Sequence, residues 1–184
     1  MISNGVKMEK ELLDLLKKML STDVEKKKGR EGLELEKIEP DSPHGIYVYD
    51  FNREKWVLKQ VSGNPNLPWG NGYYMVYFDN TRCPACRAYD NYWFPFVKIF
   101  GKMFGEFNYV IVLCDWFARE CVSEAASTAF KKFDVHASPT TIILYVENNE
   151  IKKKEEHSGV KKIDELLKIA TDFVKETTGE VTIK

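Results

Sequence analysis

From Tyr73 onward the chain switches repeatedly between two hydrophobic periods, and that alternation limits its possible folds more than any other feature. Tyr73 to Phe78 and Tyr109 to Cys114 are short, continuous apolar runs, the pattern of strands buried on both faces. Between them, Pro84 to about Phe104 is long and rich in aromatic residues, which reads as a helix bending at Pro95. Val122, Ala125, Ala126, Ala129, Phe130 and Phe133 share one face of a second helix, and Thr141 to Val146 follows as a third strand. Asn148–Asn149 then turns the chain into a polar edge strand over Glu150 to Glu155. Ile163, Leu166, Leu167, Ala170, Phe173 and Val174 form the stripe of a last, core-facing helix. Strands alternating with helices in this way imply an α/β layered fold.

Upstream the pattern differs. Met8, Leu12, Leu15, Leu16, Met19 and Leu20 recur at helical spacing, so an amphipathic helix is expected over about 7–26, packed on its own domain. Ile46 to Phe51 and Trp56 to Val61 alternate around Asn52-Arg53-Glu54 and read as a β-hairpin. Ser62 to Gly72, with Pro65, Pro68 and three glycines, breaks any regular element.

With 43% hydrophobic residues among 184, the chain has enough apolar material for a sizeable core. Its 27 basic and 28 acidic residues nearly cancel, so no global pull toward nucleic acid or membrane follows. Asp14, Lys17 and Lys18 break the one leucine-rich stretch near the start, which lacks the layout of a signal peptide; the chain reads as cytoplasmic. Abundant Lys and Glu beside the single glutamine, Gln60, lean toward a thermophile.

The strongest chemical signal is Cys83-Pro84-Ala85-Cys86, set between a predicted strand and the opening of a helix. If Cys83 caps that helix and Pro84 takes its first turn, where a missing N–H costs nothing, the Cys83 sulfur faces unpaired backbone donors. Those donors favour the thiolate, the form that attacks disulfides, and Arg82 adds a cation beside it; Arg82 and Pro84 are therefore the expected tuning residues. A stabilised thiolate makes the pair more oxidising, whereas a proline in the motif counters this by restricting the loop, so the direction of exchange stays open. Cys86, one turn into the helix, is expected to be the less exposed, resolving thiol.

Zinc is the competing use of such a pair. A four-sulfur site would need Cys83, Cys86, Cys114 and Cys121, but the last two lack the close spacing of a second ligand knuckle. Cys114 reads most simply as a small buried residue ending a strand, and Cys121 as an accessible one, with a disulfide between them left open. The second signal is Ser138-Pro139 directly before the third strand. A proline can simply start a strand; a cis peptide there would instead turn the Ser138 backbone outward to pair with an extended substrate.

Taken together, these residues resemble the thioredoxin superfamily over about Tyr73 to Thr177. The likeness lies in Cys83 and Cys86 after a strand, in the approach Phe133 to Thr140 that ends in Ser138-Pro139, and in Gly159 between the last strand and last helix. The resemblance implies a thioredoxin-like three-layer fold, a central mixed sheet flanked by helices, preceded by an N-terminal helix and β-hairpin extension. It divides the chain into residues 1–45, a helical extension and linker, and 46–184, the thioredoxin-like domain with its core at 73–177. It also implies that Cys83 is the nucleophile, Cys86 the resolving thiol, and Ser138 and Pro139 the substrate platform.

Some residues depart from the family pattern. Arg82 stands where an aromatic residue is usual, and Tyr77 occupies the position of a buried acid, so Asp79, Asp115 or water must accept the Cys86 proton. The resulting expectation is a thiol-disulfide oxidoreductase acting on protein substrates with no dissociable cofactor, paired with an NADPH-dependent flavoprotein reductase if it acts as a reductase. The rival readings are a binding module of the same fold with a static disulfide, and the zinc site.

Overall fold

The structure is a computed structural model that describes residues 12–14, 29–104, 107–116 and 119–178. Of the helix expected over 7–26, residues 12–14 are helical and the rest lie outside the described residues. Among the described residues one seven-stranded sheet runs in the order β1-β3-β2-β5-β4-β6-β7. Its strands are β1 (Glu34–Leu35), β2 (Gly45–Asp50), β3 (Lys55–Gln60), β4 (Gly72–Asn80), β5 (Phe107–Cys114), β6 (Thr140–Glu147) and β7 (Glu150–Ser158). Helices α1 (Pro84–Pro95), α2 (Glu124–Lys132) and α3 (Ile163–Thr178) connect or follow them.

The central pair, β4 and β5, is parallel, and α1 makes the crossover between them. Every other pairing is antiparallel, including that of β2 with β5 and that of β6 with β4. The β2–β3 hairpin is therefore built into the sheet beside β5, and β1 extends it by pairing with β3.

Successive strand residues face opposite sides, so β4 supplies two cores at once. Tyr73, Met75 and Tyr77 join the core covered by α1 and α3, where Cys86, Trp93, Leu166, Ala170 and Phe173 are fully buried. Tyr74, Val76 and Phe78 face the other side, against Ala125, Ala126, Ala129 and Phe130 of α2. Helices on both faces of one sheet give three layers.

Proline sets the limits of α1. Pro84 opens it at a position where no N–H is needed, whereas Pro95 has no N–H to continue the ladder. The chain carries on as a π-helical turn over Phe96–Phe100 and a 3-10 turn over Gly101–Phe104, so the expected bend is a change of winding. At Gly101 a Cβ would come within 2.8 Å of the Phe51 ring, which packs there.

The irregular stretch after β3 is organised by Gln60. Its side-chain amide donates to the carbonyls of Ser62 (3.0 Å) and Asn64 (2.7 Å), and its oxygen accepts from the Asn66 N–H at 3.0 Å. The Lys132 ammonium ties the same segment to α2 by donating to the Leu67 carbonyl at 2.8 Å. Among the described residues, no helix is long and apolar enough to cross a membrane.

Candidate active site

Strands β4 and β5 end together, with Asn80 opposite Cys114. Beyond Asn80 the backbone folds sharply: the Thr81 N–H donates to the Cys114 carbonyl and the Cys83 N–H to the Asn80 carbonyl, both at 3.0 Å. This turn presents Cys83 as the N-cap of α1, in extended conformation (φ −90°, ψ 114°). The Cys83 Sγ accepts from the Cys86 N–H at 3.3 Å, taking the place of the oxygen that usually caps a helix. Cys83 is partly exposed, Cys86 is buried, and neither is in a disulfide.

The loop before β6 reaches across both sulfurs. The Ser138–Pro139 peptide is cis. The Ser138 carbonyl lies 3.5 Å from Cys83 Sγ, and the Ser138 hydroxyl lies 2.8 Å from Cys86 Sγ. From the other side the Gly159 N–H donates to the Pro139 carbonyl at 2.8 Å. Gly159 sits at φ +83°, a left-handed conformation that glycine adopts without strain, so the end of β7 fastens the loop.

A strand ending in a cysteine-capped crossover helix, with a proline loop of an antiparallel neighbour laid over the sulfurs, decides the architecture. The fold is thioredoxin-like. No protein-family model and no curated protein matches the sequence. Among solved structures, a thioredoxin from Aeropyrum pernix is similar over 73% of this chain and 98% of its own, at 13% identity and a TM-score of 0.48. A thioredoxin of Trichomonas vaginalis is similar over 62% of this chain and 96% of its own, at 17% identity and a TM-score of 0.43. Mitochondrial thioredoxin 3 of Saccharomyces cerevisiae is similar over 61% and 94%, at 16% identity and a TM-score of 0.40.

Beneath the mouth of this thioredoxin-like fold lies a buried polar cluster. Asp79, on β4, is ion-paired with Arg87 of α1, and Arg87 also approaches Asp90 at 3.3 Å. The Tyr77 hydroxyl donates to Asp90 Oδ1 at 3.1 Å and lies 3.3 Å from the Cys86 carbonyl. Burial raises Asp79 above the usual carboxylate range, with the Arg87 charge opposing it. Burial, followed by the Asp79 charge, pushes Asp90 up to about 7. Burial, followed again by Asp79, pushes the Cys86 thiol well above its ordinary range, so Cys86 keeps its proton until a base removes it.

Cys114 and Cys121 are joined in a disulfide, which corrects the simpler reading of Cys114 as an unbonded buried cysteine. Bonded to each other, these sulfurs are not thiolate ligands, and the four-cysteine zinc arrangement is not formed. Arg82 adjoins the loop this disulfide closes. Its guanidinium contacts the Asp115 carboxylate at 2.7 Å and is also bound to Glu120. Any field it exerts on Cys83 is that of an ion pair rather than of a free cation. His136 is exposed and pairs with Asp134 at 2.7 Å.

Sequence reasoning missed Arg87, Asp90 and the Ser138 hydroxyl. A signal for Asp90 was present: it stands four residues after Cys86, on the face that also carries Tyr89 and Trp93, where a carboxyl needs a partner. Nothing local marked the Ser138 hydroxyl, because its contact spans 52 residues.

Proposed function

We propose that this protein is a thiol-disulfide oxidoreductase that exchanges disulfides with protein substrates through Cys83 and Cys86. The observation that carries this reading is the Cys83 sulfur at the N-terminus of α1, receiving the Cys86 N–H at 3.3 Å and lying 3.5 Å from the Ser138 carbonyl. Backbone donors and the helix dipole both stabilise negative charge at that point.

In the reducing direction the Cys83 thiolate attacks one sulfur of a substrate disulfide. That bond breaks, the second substrate sulfur leaves as a thiolate and takes a proton, and Cys83 is left in a mixed disulfide. Cys86 then gives up its proton and attacks Cys83 Sγ. The Cys83–Cys86 bond forms, the substrate departs as a dithiol, and two electrons have passed from the protein to it. The oxidising direction is the reverse sequence. The Ser138 and Pro139 backbone supports an extended substrate segment beside Cys83. As a reductase, the oxidised pair would be restored by an NADPH-dependent flavoprotein reductase.

Of the acceptors open to the Cys86 proton, Asp79 is the one we assign. Both acids are ion-paired, Asp79 with Arg87 and Asp115 with Arg82, but after burial it is the Asp79 charge that acts most on the Cys86 thiol. The test is insulin disulfide reduction with dithiothreitol as electron source. Cys86→Ser is expected to accumulate mixed disulfides through Cys83, and Cys83→Ser to lose the activity. Retention of most activity by Cys83→Ser would overturn the assignment.

A further inference from the structure

Beside the mouth of the site lies a cleft that the exchange chemistry does not use. Its volume is about 340 Å³, and three segments wall it. Trp116 and Arg119 come from the stretch after β5, Phe130 and Lys131 from α2, and Val135 and His136 from the loop that leads to Ser138. Two of these walls are tied to the sulfurs. Asp115, next to Trp116, is ion-paired with Arg82, which precedes Cys83. His136 stands two positions before Ser138, so at most about 7 Å of chain separates the cleft from the residue that touches both sulfurs.

Trp116 is held there against its own preferences. Of the four tryptophans it alone is exposed, at 48%, and its φ of +40° lies in the left-handed region that bulky residues avoid. Backbone strain of this kind gathers at binding sites and ligand clamps. Phe130 and Val135 are buried and give the cleft an apolar floor. The charge around it is unbalanced. Among the described residues the neighbouring acids are already engaged, Asp134 with His136 at 2.7 Å, and Asp115 and Glu120 with Arg82. Arg119 and Lys131, both exposed, remain as the uncompensated charges.

We propose that this cleft is a specificity pocket that selects protein substrates carrying an acidic side chain two to four residues from the disulfide cysteine. This rests on the exchange chemistry assigned to Cys83 and Cys86 and names a substrate class for it. A segment paired with the Ser138 backbone is extended and rises about 3.3 Å per residue, which brings its second to fourth neighbours over the cleft. There a Glu or Asp meets Arg119 and Lys131, and the stem of that side chain lies on the Trp116 ring. Each exposed ion pair adds little to binding, but a basic side chain in the same place is repelled, and selectivity is the sum of the attraction and the repulsion. Trp116, Arg119 and Lys131 take no part in the bond exchange and act as specificity residues.

The test uses homodimeric peptide disulfides whose single cysteine is flanked, two to four residues away on either side, by Glu, Gln or Lys. The second-order rate constant for reduction by the reduced protein is divided by that for hydroxyethyl disulfide, which is too small to reach the cleft. At low ionic strength Glu peptides are expected to react at least about fivefold faster than Lys peptides, with Gln peptides between them and the gap closing toward about 1 M salt. Reversing both charges, Arg119→Glu with Lys131→Glu, should invert the order, and Arg119→Gln with Lys131→Gln should remove it. Trp116→Ala should lower the ratio for every peptide. Equal rates for Glu and Lys peptides, a preference that the charge-reversed variant keeps, or an unchanged ratio in Trp116→Ala would overturn the pocket. Failure of the wild type to reduce hydroxyethyl disulfide, or its reduction by Cys83→Ser, would instead overturn the exchange reading itself.

Discussion

Two cysteine pairs stand at the ends of neighbouring parallel strands, and they have been put to different uses. After β4, α1 begins at once and a cysteine sulfur occupies its cap. After β5, α2 begins only at Glu124, and the cap is Ser123, whose hydroxyl accepts the Ala126 N–H at 3.1 Å. Cys121 lies outside that cap and is joined to Cys114, which is fully buried at the strand end. Proximity to a strand end is common to both pairs, so it does not make a reactive thiol. The difference is whether sulfur or oxygen receives the N–H of the helix's third residue.

The largest expected effect comes from making the first cap like the second. Cys83→Ser should fold, since serine is a favourable cap, yet lose insulin reduction by more than about a thousandfold. Replacing both Cys114 and Cys121 by serine should leave that activity within a few-fold of wild type. A loss comparable to that of Cys83→Ser would mean the second pair takes part in exchange.

The second pair should instead show its worth in stability. Its cysteines are seven positions apart, a short loop whose closure is worth about 2.5 kcal/mol. Thermal unfolding of the double serine variant should therefore fall by about 5–10 °C. An unchanged midpoint would remove the structural role.

Acid beneath the first pair gives the third contrast. Asp90 is raised in the folded state to about 7, so between about pH 4 and 7 the unfolded chain has lost this proton while the folded one keeps it. Folding stability is then lost as pH rises through that window, by an amount on the order of 4 kcal/mol from this group if the whole shift is realised. Denaturant titrations of Asp90→Asn at pH 4.5 and 7.5 should show a smaller drop than wild type, and an equal drop would contradict the assignment. The smallest effect belongs to Arg82. With its charge shared between Asp115 and Glu120, Arg82→Ala should change the alkylation rate of Cys83 by less than about threefold. A tenfold slowing would restore it as a tuning cation.

Local patterns made much of the fold legible. Strand boundaries moved by only a few residues because Asn52-Arg53-Glu54 and Asn148-Asn149 are strong turn signals and β4 is apolar throughout. The layering followed from the stripes of α2 and α3. What stayed hidden depends on contacts between distant positions: the direction of β2 beside β5, the pairing of β1 with β3, and the closure of Cys114 onto Cys121. At the mouth, the spacing of Cys83 and Cys86 pointed to redox or metal chemistry, and their place between a strand and a helix favoured the former. The acid cluster was half legible, since Asp79 stood on the strand near Tyr77, but the contacts of Asp90 with Tyr77 and Arg87 required three-dimensional placement.

The outermost strands carry a consequence for how a partner meets this molecule. On one flank β1 is two residues long; on the other, β7 sets lysines and glutamates along most of its length. Among the described residues, neither flank offers a long, uncharged template on which a foreign chain could add its own hydrogen-bonded row. Under the proposed exchange chemistry, that discourages lateral stacking and favours an approach end-on, at the end of the sheet where Cys83 and Cys86 lie.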